Sequence, residues 1–248
     1  MPKYFVIVFV LCTPFSASTM VPINVVTELS PPNQTLINNQ VAGHSTELVK
    51  AIFKQANLTA NIALYPWARA FDMATKKPNT FIYSMARTPA REDDFHWIGA
   101  IAYFQLGFVK LAHRTDIRID NTDDAKQYKI AVQRNDLAAL KFTDRGYGLV
   151  FTTDISKSYQ LLLAGKVDLV IDDPMYIDAM AEQLALDSDT FVFVRGIEEL
   201  AVEGYLAANI NTRPEYLRAL HAAFKQIKQQ PFYKQVMALE KSNKLTHP

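Results

Sequence analysis

Cysteine is almost missing from this chain: Cys12 is the only one in 248 residues. A single thiol excludes an internal disulfide and a thiolate metal site. Charge of either sign is not in excess, since the formal net charge is +1. A surface for nucleic acid or for an anionic membrane needs a dense basic face, so neither partner is expected. Long hydrophobic runs are missing too. The most apolar stretch, Tyr4 to Cys12, is too short to cross a bilayer as a helix. His44, His96, His113, His221 and His247 show no metal-ligand spacing, so no metal and no cofactor is expected. There is no Gly-x-Ser-x-Gly, no glycine-rich phosphate loop and no cysteine nucleophile, and Ser84 has no histidine to nominate as its base.

What is present is ordinary globular composition, 49% hydrophobic and 21% charged, enough for one large domain or two small ones. The N-terminus stands apart. Lys3 is the only charge before Glu28, and it precedes the apolar run, Pro14 and the small residues Ser16-Ala17-Ser18. Residues 1–18 therefore read as a secretory signal, with an uncleaved anchor as the alternative. Leu11 before Cys12 argues against lipid attachment. Cleavage before Thr19 leaves a near-neutral, cysteine-free chain, expected in the periplasm.

The rest alternates strand and helix. Strands are expected at 22–27, 60–64 and 80–85, with helices opening at Ser45 and at Pro66-Trp67. A polar loop is expected from Ser30 to Gly43, and a long strand from Leu106 to Ala112. After a polar passage, Arg114 to Gln127, the rhythm restarts. Strands are expected at 129–132, 149–151, 167–171 and 191–194. Between them come helices at Leu137–Phe142, capped by Asp136, at Ile155–Ala164 and at Met175–Leu186. A strand at 204–210 and two helices, from Thr212 and from about Pro231, close the chain. Two α/β units of similar rhythm predict two α/β lobes. No residue-level repeat relates them.

Ser84-Met85-Ala86-Arg87-Thr88-Pro89-Ala90-Arg91 is the stretch that carries chemistry. It ends a strand, breaks before proline and offers two guanidinium groups, Arg87 and Arg91, suited to holding a carboxylate or phosphate through paired hydrogen bonds. The competing reading is a surface turn with solvated arginines.

Four local patterns in order resemble the bacterial extracellular solute-binding proteins, family 3, the two-lobed periplasmic proteins that serve amino-acid ABC importers. They are Gly43-His44-Ser45-Thr46-Glu47-Leu48-Val49, Ser84 through Arg91 with Phe95, Lys129-Ile130-Ala131-Val132, and Leu162 through Gly165 to Asp173. Pro66-Trp67-Ala68-Arg69 is similar to a less characterised branch. The resemblance covers roughly residues 22–243. It implies a first lobe of residues 19–110 and 208–248, a second of 111–207, and a two-strand hinge. By position, Arg91 is implied to grip a ligand carboxylate, Asp173 to take an ammonium, and Ser84 to touch the ligand. Asp172 is the alternative to its neighbour Asp173. Trp67 and Tyr103 are implied to wall the cleft.

Several positions depart from that family. Arg134-Asn135-Asp136-Leu137 replaces a Gly-Thr or Gly-Ser pair, so Asp136 is expected to cap its helix and Arg134 or Asn135 to face the ligand. Arg87 stands where the family is apolar, and Arg69 adds a further cation that Glu47 or Asp72 can pair. Residues Ser30–Gln40 lack the usual aromatic cover. The implied protein is a monomer that binds an amino-acid-like zwitterion or anion for a permease or a membrane receptor. It is not an enzyme. The rival is a dehydratase-like enzyme on the same fold using Asp172, Asp173 or Asp136 as acid or base.

Overall fold

A computed structural model of the chain describes residues 23–242. The secretory-signal expectation for residues 1–18 lies outside the described residues. No described helix is long and apolar enough to cross a membrane.

The first half builds from β1 (Ile23–Thr27), α1 (His44–Gln55), β4 (Ala60–Leu64), α2 (Trp67–Lys76) and β5 (Thr80–Ala86). β1 pairs in parallel with both β4 and β5. The second half repeats the plan with β7 (Lys129–Gln133), α3 (Leu137–Phe142), β8 (Gly148–Thr152), α4 (Ile155–Leu163), β9 (Leu169–Asp172) and α5 (Ile177–Gln183). Here β7 pairs in parallel with β8 and β9. Two long antiparallel strands, β6 (Phe95–Leu111) and β10 (Phe191–Asn209), run through the middle. The order is β4-β1-β5-β10-β6-β9-β7-β8, one sheet with a parallel set at each end. α6 (Pro214–Ile227) and α7 (Pro231–Ser242) return to the first half.

Period-two alternation explains the layers. Val25 points into a core with Leu48, Ile52, Phe53 and Leu220, while its neighbour Val26 points to Trp67, Ala70 and Met85 on the opposite face. In the second half, Ile130 and Val132 meet Leu137 and Phe142, while Ala131 meets Tyr159 and Leu162. Strands buried on both faces and covered by helices give the continuous apolar runs of parallel sheets. The result is the two-lobed α/β fold expected from the sequence.

Four elements differ from expectation. The strand expected at Leu106–Ala112 begins at Phe95, as β6. The polar loop before Gly43 holds a hairpin, β2 (Thr35–Ile37) with β3 (Gln40–Ala42), closed by Asn38 and Asn39 at φ 51° and 60°. Asparagine tolerates that left-handed region, which a two-residue hairpin turn requires. The helix expected over Met175–Leu186 is shorter. Residues Pro174–Tyr176 form a 3-10 turn capped by Asp173, and Ala185 at φ 55° follows the end of α5. The strands expected at 191–194 and 204–210 are one strand, because Gly196 through Leu200 is absorbed as a bulge rather than a loop.

That bulge is local. Gly196 faces Gly107, Ala201 faces Gln105, and residues 197–200 lie opposite Leu106 alone. A Cβ at Gly107 would stand 2.3 Å from the Arg195 carbonyl oxygen. Backbone cannot swing aside as a side-chain tip does. Gly107→Ala is therefore expected to destabilise the fold by about 1–3 kcal/mol, as overpacking does. Urea denaturation checks this through a lower midpoint at unchanged slope.

Candidate ligand cleft between the lobes

The carboxyl ends of both parallel strand sets converge on one cavity of about 90 Å³. Ligands of open α/β sheets sit in such crevices beyond the strand ends. Glu28 follows β1, Ala86 ends β5, Gln133 ends β7 and Asp172 ends β9, and all four line the wall with Trp67, Ser84, Arg91, Phe104, Asp136 and Tyr176. At roughly 10–15 Å³ per water-sized group, the cavity holds about six to nine of them, the size of a small metabolite rather than a peptide.

Arg91 leaves the 3-10 turn Pro89–Asp94 and is 2% exposed. Its Nη1 donates to the Ala86 carbonyl at 2.9 Å and its Nη2 to the Asn135 carbonyl at 2.5 Å, so it bridges the halves. The guanidinium lies 5.2 Å from the Phe71 ring centroid and 5.9 Å from that of Trp67. Burial lowers its pKa to about 10, against the pull of Asp136.

Three carboxyls share the wall. Glu28 is pushed well above the usual carboxylate range, first by burial and then by the charges of Asp136 and Asp172; a hydrogen bond with Gln133 opposes this. Asp136 is raised to about 6 by burial although its oxygens accept from Ala139 N at 2.6 Å and Gln133 N at 2.9 Å. Asp172 is raised to about 7 by burial although it accepts from the Tyr159 hydroxyl at 2.9 Å and from Asp173 N at 2.8 Å.

Four buried polar atoms on this wall have no partner: Glu28 Oε2, Gln133 Oε1, Arg91 Nε and Trp67 Nε1. Each such group costs free energy when left unpaired, about 1–3 kcal/mol. Two are acceptors and two are donors. Backbone strain is stored here as well. Ser84, inside β5, sits at φ 59° and its hydroxyl takes a hydrogen bond from Gln34; Asn135, whose carbonyl holds Arg91, sits at φ 64°.

Of the residues singled out from the sequence, Arg91, Ser84 and Trp67 line the cavity. Asp173 does not. It accepts from Gln105 N at 2.6 Å and Met175 N at 3.0 Å, capping the turn that starts α5, and Asp172 takes the wall position. Arg87 points outward, ion-paired with Glu92 and beside the Trp97 and Tyr205 rings. Tyr103 pairs in register with Glu203 on the crossing strands, while the next residue, Phe104, faces the cavity. Arg134 is exposed, and Gln133 before it lines the wall. Arg69 is exposed over the Tyr65 ring; Glu47 pairs with Lys50 and Asp72 with Lys76 instead. Asp136 caps α3 as expected and lines the cavity too. Among the described residues no His, Cys, Asp and Glu cluster has metal-site geometry.

Glu28 and Gln133 were missed from the sequence. Their signal was positional: a polar residue at or just past the carboxyl end of a parallel strand.

Two α/β lobes joined by two crossing strands, with an inward-facing polar cavity at the strand ends, define a two-lobed solute-binding fold of the periplasmic type. The chain belongs to the bacterial extracellular solute-binding proteins, family 3, whose model matches residues 23–238. Among solved structures it is similar to a histidine kinase sensor domain described as resembling periplasmic binding proteins. The TM-score is 0.75 and the identity 18%, covering 91% of this chain and 96% of that one. It is also similar to an ancestral arginine-binding protein bound to arginine, with TM-score 0.73 and 19% identity over 87% and 96% of the two chains. A third is the substrate-binding protein of an amino acid ABC transporter, with TM-score 0.72 and 16% identity over 87% and 97%. No curated protein matches.

Proposed function

We propose that the chain is an extracytoplasmic solute-binding protein that captures a small, amine-bearing, amino-acid-sized ligand between its lobes. The observation that carries this is the set of unpartnered buried atoms on the cavity wall, acceptors on Glu28 and Gln133 and donors on Arg91 and Trp67. They come from both lobes, so a ligand that satisfies them favours closure. Arg91, Ser84 and Trp67 keep the contact roles expected of them, and Asp172 replaces Asp173 as the second-lobe acid. The lobes are residues 19–110 with 208–248, and 111–207. The bulge around Gly107 and Gly196 acts as the hinge. The protein is exported through residues 1–18, works as a monomer in the periplasm, and returns its ligand unchanged.

An ABC importer is the partner that the likeness to an amino acid transporter's binding protein supports. The likeness to a sensor domain favours a second reading, in which a membrane receptor reads the closed form.

The test is a thermal-shift screen of residues 19–248 against amino acids, amines and small dicarboxylates, followed by calorimetry. A ligand that binds only the folded state at a hundredfold excess over its dissociation constant adds about 2.7 kcal/mol of stability. The expected result is an upward shift with amine-bearing compounds, recovered unaltered by mass spectrometry. Conversion of the compound would establish the enzymatic alternative instead.

A further inference from the structure

We propose that the preferred ligand is a small cationic amine without a carboxylate, with Glu28 as its counter-ion and Asp136 filling the place a ligand carboxylate would need. This rests on the cleft being an amine-binding site, as proposed above, and narrows the ligand class.

The two places where a carboxylate could be received are both engaged in part by the protein itself. The first is the guanidinium of Arg91, the one cation on the cavity wall among the described residues. Each of its terminal nitrogens gives one N–H to a protein carbonyl, Nη1 to Ala86 and Nη2 to Asn135. Nε has no partner and each terminal nitrogen keeps one N–H, so a ligand carboxylate here would share a guanidinium already held by both halves. The second is the start of α3, where Asp136 accepts from Ala139 N and Gln133 N. A protein carboxylate already faces the cavity there and offsets part of the Arg91 charge. A ligand carboxylate placed beside it would meet a like charge.

The charge balance points the same way. Carboxyls of Glu28, Asp136 and Asp172 outnumber the single guanidinium on the wall. A cation lets one of these acids ionise against it, whereas a zwitterion brings a fourth carboxylate to a wall that already holds three. The free hydrogen-bonding capacity shows where the cation sits. Asp136 and Asp172 already accept at both oxygens, but Glu28 Oε2 accepts nothing. Gln133, 8% exposed, presents Oε1 without a partner on the same wall. An ammonium or guanidinium donates to both. The donors Arg91 Nε and Trp67 Nε1 then require only a neutral acceptor, such as a hydroxyl or an ether oxygen, or water.

Calorimetry on residues 19–248 tests this with matched pairs: agmatine against arginine, cadaverine against lysine, ethanolamine against serine. The expected result is that the best-bound amine binds at least tenfold more tightly than its parent amino acid, and that Asp136→Asn narrows the difference. Asparagine still caps a helix, so the fold is retained while the charge is removed. Equal or tighter binding of the parent amino acid overturns the inference and leaves the proposed solute-binding function intact. Binding of neither series overturns the amine reading itself.

Discussion

Glu28→Gln is expected to weaken binding of an amine ligand about a hundredfold or more without lowering the melting temperature of the empty protein. Truncating one partner of a buried, hydrogen-bonded charge pair costs about 2–5 kcal/mol, much of it for leaving the other charge unpaired. Glu28 is the one wall carboxyl with an oxygen that accepts nothing, so the ligand cation depends on it most. In the empty protein the charge is a liability. Burial and the neighbouring Asp136 and Asp172 hold the Glu28 proton on, so a neutral amide of the same shape loses little. Calorimetry paired with a thermal melt checks this. A residue with a purely structural role gives the reverse signature, lower stability with affinity kept. Ligand binding should also release protons, since an ammonium replaces the proton shared among these acids. Titrations in two buffers of different ionisation enthalpy report that release.

The empty protein is expected to lose stability as pH rises from about 4 to about 7, which runs against the common behaviour of ion-paired carboxylates. The sign follows from the direction of the shifts. Asp172 is raised to about 7 in the folded state and Asp136 to about 6. The native state thus holds protons that the unfolded chain has already given up. Stability is complete below the unfolded pKa and falls as pH climbs through the folded values. At about 1.4 kcal/mol per pKa unit, Asp172 alone contributes on the order of 4 kcal/mol to the fall. For a chain of this size that lowers the melting temperature by roughly 8–16 °C. The acids shifted downward, Asp116, Asp123, Asp124 and Glu92, act in the opposite sense but lie on the surface, where pairs contribute little. Asp172→Asn should flatten the profile, since the Tyr159 hydroxyl can turn to accept from the new amide. Melts at pH 4.5 and 7.5 on both proteins decide it; an unchanged slope in the variant would remove Asp172 from the account.

The fold was legible because hydrophobic period and capping chemistry act locally. Asp136 capped Leu137–Phe142 within the expected bounds, and Ala60–Leu64 paired as the strand its alternation implied. Gly196 through Leu200 was not legible, because a glycine and paired glutamates signal a loop unless a long partner strand holds them in a bulge. Which residues reach the cavity wall turned on single positions in the sequence. Tyr103, Arg134 and Arg87 were singled out, and Asp173 with Asp172 as its alternative, while Phe104, Gln133, Ala86 and Asp172 line the cavity. Tyr103 lies within β6, where successive side chains point to opposite faces, whereas Arg87, Arg134 and Asp173 each stand one residue past a strand end, where the next structural element sets the direction. Charge drew attention to Arg87 and Arg134, which are exposed, and solvent is where an unpaired charge is cheapest. Asp173 is buried instead and capped by two backbone N–H groups.

The bond from Arg91 to the Asn135 carbonyl has a partner across the same gap, where Asn33 donates to the Tyr176 hydroxyl at 2.6 Å. Together they fasten the two halves across the cavity, and opening it breaks both. For a ligand that must enter while both are broken, entry is timed by how often the cavity opens. The apparent dissociation constant is then the intrinsic one divided by the fraction of time spent open. A fastening that slows arrival slows escape as well, so residence time would then follow the opening of these two bonds.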